Sequence, residues 1–198
     1  MKRREPSGAA VLQPGITAAI ADAVLAELVE RGYARLSMEG VAKRAGVGKS
    51  ALYRRWRTKR EMVLAVLAEI TVPMAEAADT GTLRGDIRAS VDAITAWLTE
   101  PPFSRIIPDL VAESARTPEL AKAIAATIGE PRRAVGRPRL ERAIARGELP
   151  AGTDLEMAQD LVAGLVYWRM VVRQAPVEPD YPDRVTDTVL RALGAVPD

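Results

Sequence analysis

Apolar residues recur at spacings of three and four along almost the whole chain, and no run alternates apolar with polar over the length of a strand. This pattern restricts the chain to an all-α fold, whose core is built from helix stripes rather than sheet faces. With 198 residues, 48% of them apolar, the chain is long enough to bury a substantial core in one or two domains.

The residue types that are missing narrow the chemistry. The chain holds neither Cys nor His. Disulfides, thiolate and imidazole metal ligands, cysteine nucleophiles and the commonest general base are therefore excluded, and neither a metal nor another cofactor is expected. Asp109, Glu113 and Glu119 form no recognisable ligand motif, so an enzyme would have to work with carboxylates, Lys or Tyr alone. The uncharged stretch over residues 6–21 is broken by Pro14-Gly15 and is only mildly apolar. It is a poor membrane span and, after Lys2-Arg3-Arg4, a poor signal peptide. The expectation is a cytoplasmic protein without a membrane partner.

Charge is distributed unevenly. Residues 1–70 hold 13 Lys and Arg against 7 Asp and Glu, whereas residues 71–198 hold 15 against 19. Between Glu39 and Glu61 there is no acid, yet Lys43, Arg44, Lys49, Arg54, Arg55, Arg57, Lys59 and Arg60 all fall there. A solvated helix face ordinarily mixes signs, so this run points to a polyanion partner. The domain reading follows the same division: a basic arm over 1–15, a DNA-binding domain over 16–70 and a second helical domain over 71–198.

Within the basic domain, a first helix is expected from about Ile16 to Gly32, with Gly32 in the left-handed position after it. Ser37 is a natural N-cap for a short helix carrying Val41, Ala42 and Ala45 on one face, and Gly46 permits a sharp turn. Gly48 or Lys49 opens a second short helix. Leu52 and Trp56 anchor it inward, four residues apart, leaving Lys49, Ser50, Arg54 and Arg55 outward. Thr58 and Glu61 form a capping box for a third, whose stripe is Met62, Val63, Val66, Leu67 and Ile70. Two short helices joined by a glycine turn describe a helix-turn-helix, although a plain helical hairpin has the same spacing. Cations on the second helix neutralise phosphates, and short side chains at its start approach base edges. Gly48-Lys49-Ser50 imitates the end of a phosphate-binding loop, but Lys43 stands where that motif needs glycine and no strand precedes it. Lys2-Arg3-Arg4 is read either as a minor-groove arm or as a solvated tail.

Gly32-Tyr33, Ser37-Met38, the run from Val41 to Trp56 and Thr58-Lys59 together resemble the DNA-binding domain of TetR/AcrR-type transcriptional regulators, over about residues 16–67. The resemblance implies a three-helix DNA-binding domain followed by a helical ligand-binding and dimerisation domain. It also implies a homodimer on an inverted repeat of double-stranded DNA, released by a small-molecule effector. It places phosphate contacts on Tyr53 and Lys59 and a backbone contact on Ser37; with Lys49, Ser50 and Arg54 these complete the expected DNA-binding set. Gly48 and Ala51 depart from the Ser and Thr common in the family, which weakens the N-cap and removes one hydroxyl contact.

After Ile70, Thr82 precedes a helix with Ile87, Val91, Ile94 and Trp97. Pro101-Pro102 separates it from one over Phe103 to about Ala115. Thr117-Pro118 begins a long helix that Gly129, Pro131, Gly136 and Pro138 should kink or interrupt. Thr153 and Glu156 form a second capping box, opening a helix to about Arg173, and a last helix covers about Tyr181 to Leu193. Trp97, Phe103, Tyr167, Trp168 and Met170 are the candidate pocket residues, though aromatics on apolar faces also serve as plain core. Leu161, Leu165, Trp168, Val185 and Val189 are the candidate dimer face, the alternative being a monomeric core. The expected function is a ligand-released repressor. An activator of the same fold, a helical adaptor and an enzyme remain as alternatives.

Overall fold

The computed structural model describes residues 14–75 and 79–196. The Lys2-Arg3-Arg4 arm lies outside the described residues. Within them the chain forms ten α-helices and no strand, and it divides into two compact units between Met62 and Val63.

In the first unit α1 spans Pro14–Arg35, α2 Met38–Ala45 and α3 Lys49–Arg55, and α4, Lys59–Thr71, begins there. Helix α1 starts two residues earlier than expected and breaks where expected. Gly32 takes φ 72°, and one further turn ends with the Leu36 N–H donating to the Gly32 carbonyl at 3.2 Å. Ser37 is extended and its hydroxyl oxygen accepts the Gly40 N–H at 3.1 Å, a side-chain N-cap. Gly46 closes α2 in the left-handed conformation, φ 66°, and the Val47 N–H returns to the Ala42 carbonyl at 3.0 Å. Val24, Val41 and Leu52 are fully buried, with Ile20, Leu28 and Trp56 nearly so. Thr58 accepts the Glu61 N–H at 3.1 Å, but the Glu61 carboxylate reaches back to the Arg57 N–H at 2.9 Å, one residue beyond a standard box.

The second unit contains α5 (Leu83–Thr99), α6 (Phe103–Arg116), α7 (Pro118–Ile124), α8 (Glu130–Ala145), α9 (Leu155–Tyr167) and α10 (Tyr181–Ala192). Helix α5 is central, packing against α6, α8, α9 and α10. Its Ile87 and Val91 meet Leu140 and Ala143 of α8, Ala158, Val162 and Val166 of α9, and Val185 and Val189 of α10 in one core. The α5 N-terminus is closed twice. Thr82 accepts the Gly85 N–H at 3.1 Å, and Glu148 accepts the Leu83 N–H at 2.6 Å.

Two expectations change here. The glycines and prolines after Thr117 do not break the helix repeatedly. One π turn over Ala125–Gly129 widens the helix just before Pro131, which then sits in the first turn of α8, where its missing N–H is harmless. Pro138 is accommodated inside α8 on its exposed side. The cap of α9 is Asp154, not Thr153. The Asp154 carboxylate accepts the Glu156 and Met157 N–H groups, both at 3.0 Å, and brings negative charge to the helix N-terminus. Thr153 instead donates to the Pro150 carbonyl at 2.7 Å. Among the described residues no helix is long and apolar enough to cross a membrane, and no cluster of acids is placed to hold a metal ion.

Candidate functional site

Helix α3 presents its outward edge because Leu52 and Trp56 tie the opposite edge into the core. Lys49, Ser50, Tyr53 and Arg54 are all exposed on it, Tyr53 by 46% despite its size. A phenol left half in water beside cations has lost hydrophobic burial, which is explained if it is shaped to meet a polar surface. Ser37 stands half-buried at the start of α2; its oxygen is used by the Gly40 N–H, and its O–H remains a donor.

The surface around α3 contains one internal anion that the sequence reading did not single out. Glu39, in the first turn of α2, lies 3.6 Å from the Lys49 ammonium and accepts the Tyr53 hydroxyl at 3.4 Å. Its own backbone N–H holds the Glu39 carboxyl below the usual carboxylate range, and Lys49 and Tyr53 add to the effect. A carboxylate thus engages an ammonium and a hydroxyl on the exposed edge of α3. Its signal in the sequence was its position, the last acid before the cationic run.

Behind this surface, Arg44 braces α2 to α1. It donates to Glu27 at 3.0 Å and forks onto Glu30, one arm at 2.9 Å, so its guanidinium pKa rises while the Glu30 carboxyl falls. Glu27 is buried, and Arg31 approaches its second oxygen at 3.3 Å. Gly40 makes room for this pair: a Cβ there would stand 3.0 Å from the Glu27 carboxylate. Arg55 also turns back, over the Trp56 ring at 4.6 Å and onto the Thr17 hydroxyl at 3.0 Å.

Lys59, which the resemblance places on a phosphate, lies against the end of α1 in the chain without DNA. Its ammonium donates to the Tyr33 and Ala34 carbonyls, both at 2.9 Å, approaches that of Leu36 at 3.4 Å, and lies 4.7 Å from the Tyr33 ring centre. All three N–H donors are engaged by carbonyls at and just past the end of α1, so the charge acts as a C-terminal clamp on that helix.

The second unit contains a cavity of about 430 Å³ that opens to solvent. Of the five pocket residues expected, only Trp97 lines it. Phe103 lies tilted against Trp97, the ring centres 5.5 Å apart, and Tyr167 and Met170 pack against the core. Trp168 is 58% exposed and faces water. The walls are instead small side chains, Ala75, Ala89, Ala93 and Ala163, together with Arg132, Arg133 and Arg139 from α8. Large aromatics fill space, so a search for them finds core, whereas a cavity is left where side chains are short.

The expected dimer face also divides. Leu165 and Trp168 are exposed and join Met157 and Val172 in an apolar stripe along α9 and its π-turn extension over Trp168–Val172, while Leu161 is half-buried against the core. Val185 and Val189 are buried in their own core and are therefore removed from that face. Helix α10 turns its β-branched residues to α5 and α9, because its opposite side carries Asp183, Arg184 and Thr188.

Residues 20–66 match the family described as bacterial regulatory proteins, tetR family, and residues 77–189 match the tetracyclin repressor-like C-terminal domain. Over 178 residues the chain is 30% identical to the DNA-binding transcriptional repressor TetR of Mycobacteroides abscessus, covering 89% of this chain and 93% of that one. The crystal structure of a TetR family transcription regulator superposes with a TM-score of 0.74 at 28% identity, covering 92% of this chain and 99% of that one. A SmeT–triclosan complex shares the fold, with a TM-score of 0.71 at 21% identity over 94% of this chain and 93% of that one.

Proposed function

The chain belongs to the tetR family of bacterial helix-turn-helix transcriptional regulators, and from that membership we propose that it is a cytoplasmic homodimeric repressor, bound to an inverted repeat and released by a small molecule. The observation that carries this reading is the outward edge of α3. Lys49, Ser50, Tyr53 and Arg54 stand exposed on a recognition helix whose other edge is locked by Leu52 and Trp56. Tyr53 and Arg54 take phosphate, Lys49 and Ser50 at the N-terminal end reach base edges, and the Ser37 O–H assists on the backbone. Lys59 contributes through its clamp on the end of α1.

One short recognition helix buries too little to select a site, so a two-fold pair supplies the second half-site. The exposed apolar stripe of Met157, Leu165, Trp168 and Val172 supports pairing through α9. The cavity supports an effector, which shifts the regulator by binding one helix arrangement better than the other, typically with about 1–3 kcal/mol of coupling. The name of the Mycobacteroides abscessus relative supports repression as the direction of control.

The test is selection of retained sequences from random duplex DNA at two salt concentrations. An enriched inverted repeat, held less tightly at higher salt, is expected. Absence of enrichment together with salt-independent retention would refute the reading.

A further inference from the structure

The cavity of the second unit has two chemically distinct walls. One is apolar, with Met74, Ala89, Ala93, Ile94 and Val162. The other carries Arg132, Arg133 and Arg139 against a single carboxylate, Asp160, which Arg133 engages. Arg132 donates to the Thr71 carbonyl and lies over the Trp97 ring at 5.1 Å, so it is anchored without an anion. Arg139 forms no ion pair among the described residues, and its buried Nε has no hydrogen-bond partner; neither do Arg133 Nε and Trp97 Nε1. Donors thus outnumber acceptors on this wall. Burial lowers the pKa of both Arg132 and Arg139; repulsion from its neighbour Arg139 adds to this for Arg132, and Asp86 partly opposes it for Arg139. Gly136 lets Gln159 and Arg139, both on the cavity wall, pack close against α8. A Cβ there would stand 2.9 Å from the Gln159 amide oxygen and 3.3 Å from the Arg139 guanidinium.

Desolvated guanidinium groups with unused donors are costly to bury unless an anion arrives to accept from them. We infer that the cavity takes an amphipathic anion, an apolar body against α5 and α9 with a carboxylate or phosphate head on Arg132 and Arg139. This inference rests on the reading of the cavity as the effector site and names the chemical class of that effector. Arg133, already neutralised by Asp160, sets the rim, so selectivity for the head lies with the other two.

The test uses the full chain without DNA and four probes of equal chain length: octanoate, octyl phosphate, octanol and octylammonium, titrated by calorimetry. Octanoate or octyl phosphate binds, octanol binds about tenfold or more weakly, and octylammonium gives no heat. The tighter of the two anions identifies the head group. Arg139→Gln loses about tenfold or more for the anions and leaves octanol unchanged, which shows an intact cavity; Arg132→Gln repeats the measurement independently. The inference is overturned if octanol or octylammonium matches the anions, if neither anion binds, or if both variants bind the anions as the parent does. A chain that binds octanoate but no DNA would refute the repressor reading and leave this inference standing.

Discussion

In the helix-turn-helix unit Lys49 and Arg54 of α3 stand in water, Lys49 beside the exposed carboxylate of Glu39, whereas in the second unit Arg132 and Arg139 face a cavity where burial lowers their pKa. An exposed cation retains its hydration and acts over about a Debye length, which suits recruitment of a polyanion in a salt-dependent way. A desolvated cation is screened less and costs more to leave unpaired, so it discriminates by what fills the space beside it. The second unit has net negative charge in sequence, yet its cavity is cationic. Net charge per domain therefore locates one of the two cationic surfaces and misses the other.

The strongest way to separate the two surfaces is to unfold one. Leu52→Ala removes a fully buried side chain between α3 and its support and should cost about 2–5 kcal/mol. Hydrogen exchange is expected to show α2 and α3 losing protection while α5 and α9 retain theirs, with DNA binding lost and octanoate binding kept. Protection lost equally in both units would show that they do not act separately. Next in size, Glu27→Gln leaves Arg44 with Glu30 alone and should destabilise the first unit by about 1–3 kcal/mol in urea denaturation.

The second unit has its own acid sensitivity. Arg146, and then the Leu83 N–H, hold the Glu148 carboxyl below its ordinary value of 4.5, against burial. A depressed folded-state pKa gives stability that is present above the unfolded value and is lost as pH falls through the folded one. Glu148→Gln should therefore lower stability by about 1 kcal/mol at neutral pH and flatten the loss below 4.5. Unchanged acid unfolding in the variant would rule out this cap as the cause. The smallest effect is expected at Glu39→Gln, which frees Lys49 and Tyr53 and should tighten DNA binding about two- to fivefold at low salt, the gain fading as salt rises.

Ser37, Gly46, Leu52 and Trp56 were legible in the sequence because each is specified locally, by a cap, a left-handed turn or a one-turn spacing. The Gly32 break and the ends of α5 and α10 were legible for the same reason. Asp154 was not, because two capping residues stand side by side and only the fold decides between them. Val185 and Val189 were misplaced because an apolar stripe does not state whether its own domain or a partner covers it. The Lys59 clamp and the Arg132–Arg139 wall were invisible because long cationic side chains reach in directions that spacing along the chain does not specify.

The π turn at Ala125–Gly129 has a consequence for changes of length. One residue corresponds to about 100° of helix rotation, and a π turn holds one residue more than the α-helical path around it. Deleting a single residue there would restore uniform pitch and leave Arg132, Arg133 and Arg139 close to their present direction about the axis of α8, whereas deleting one from the α-helical part of α7 would swing all three by about 100°. The π turn thus lets the chain carry one more residue without turning the cavity wall, and a relative one residue shorter there, with a plain α-helical turn, would present the same wall.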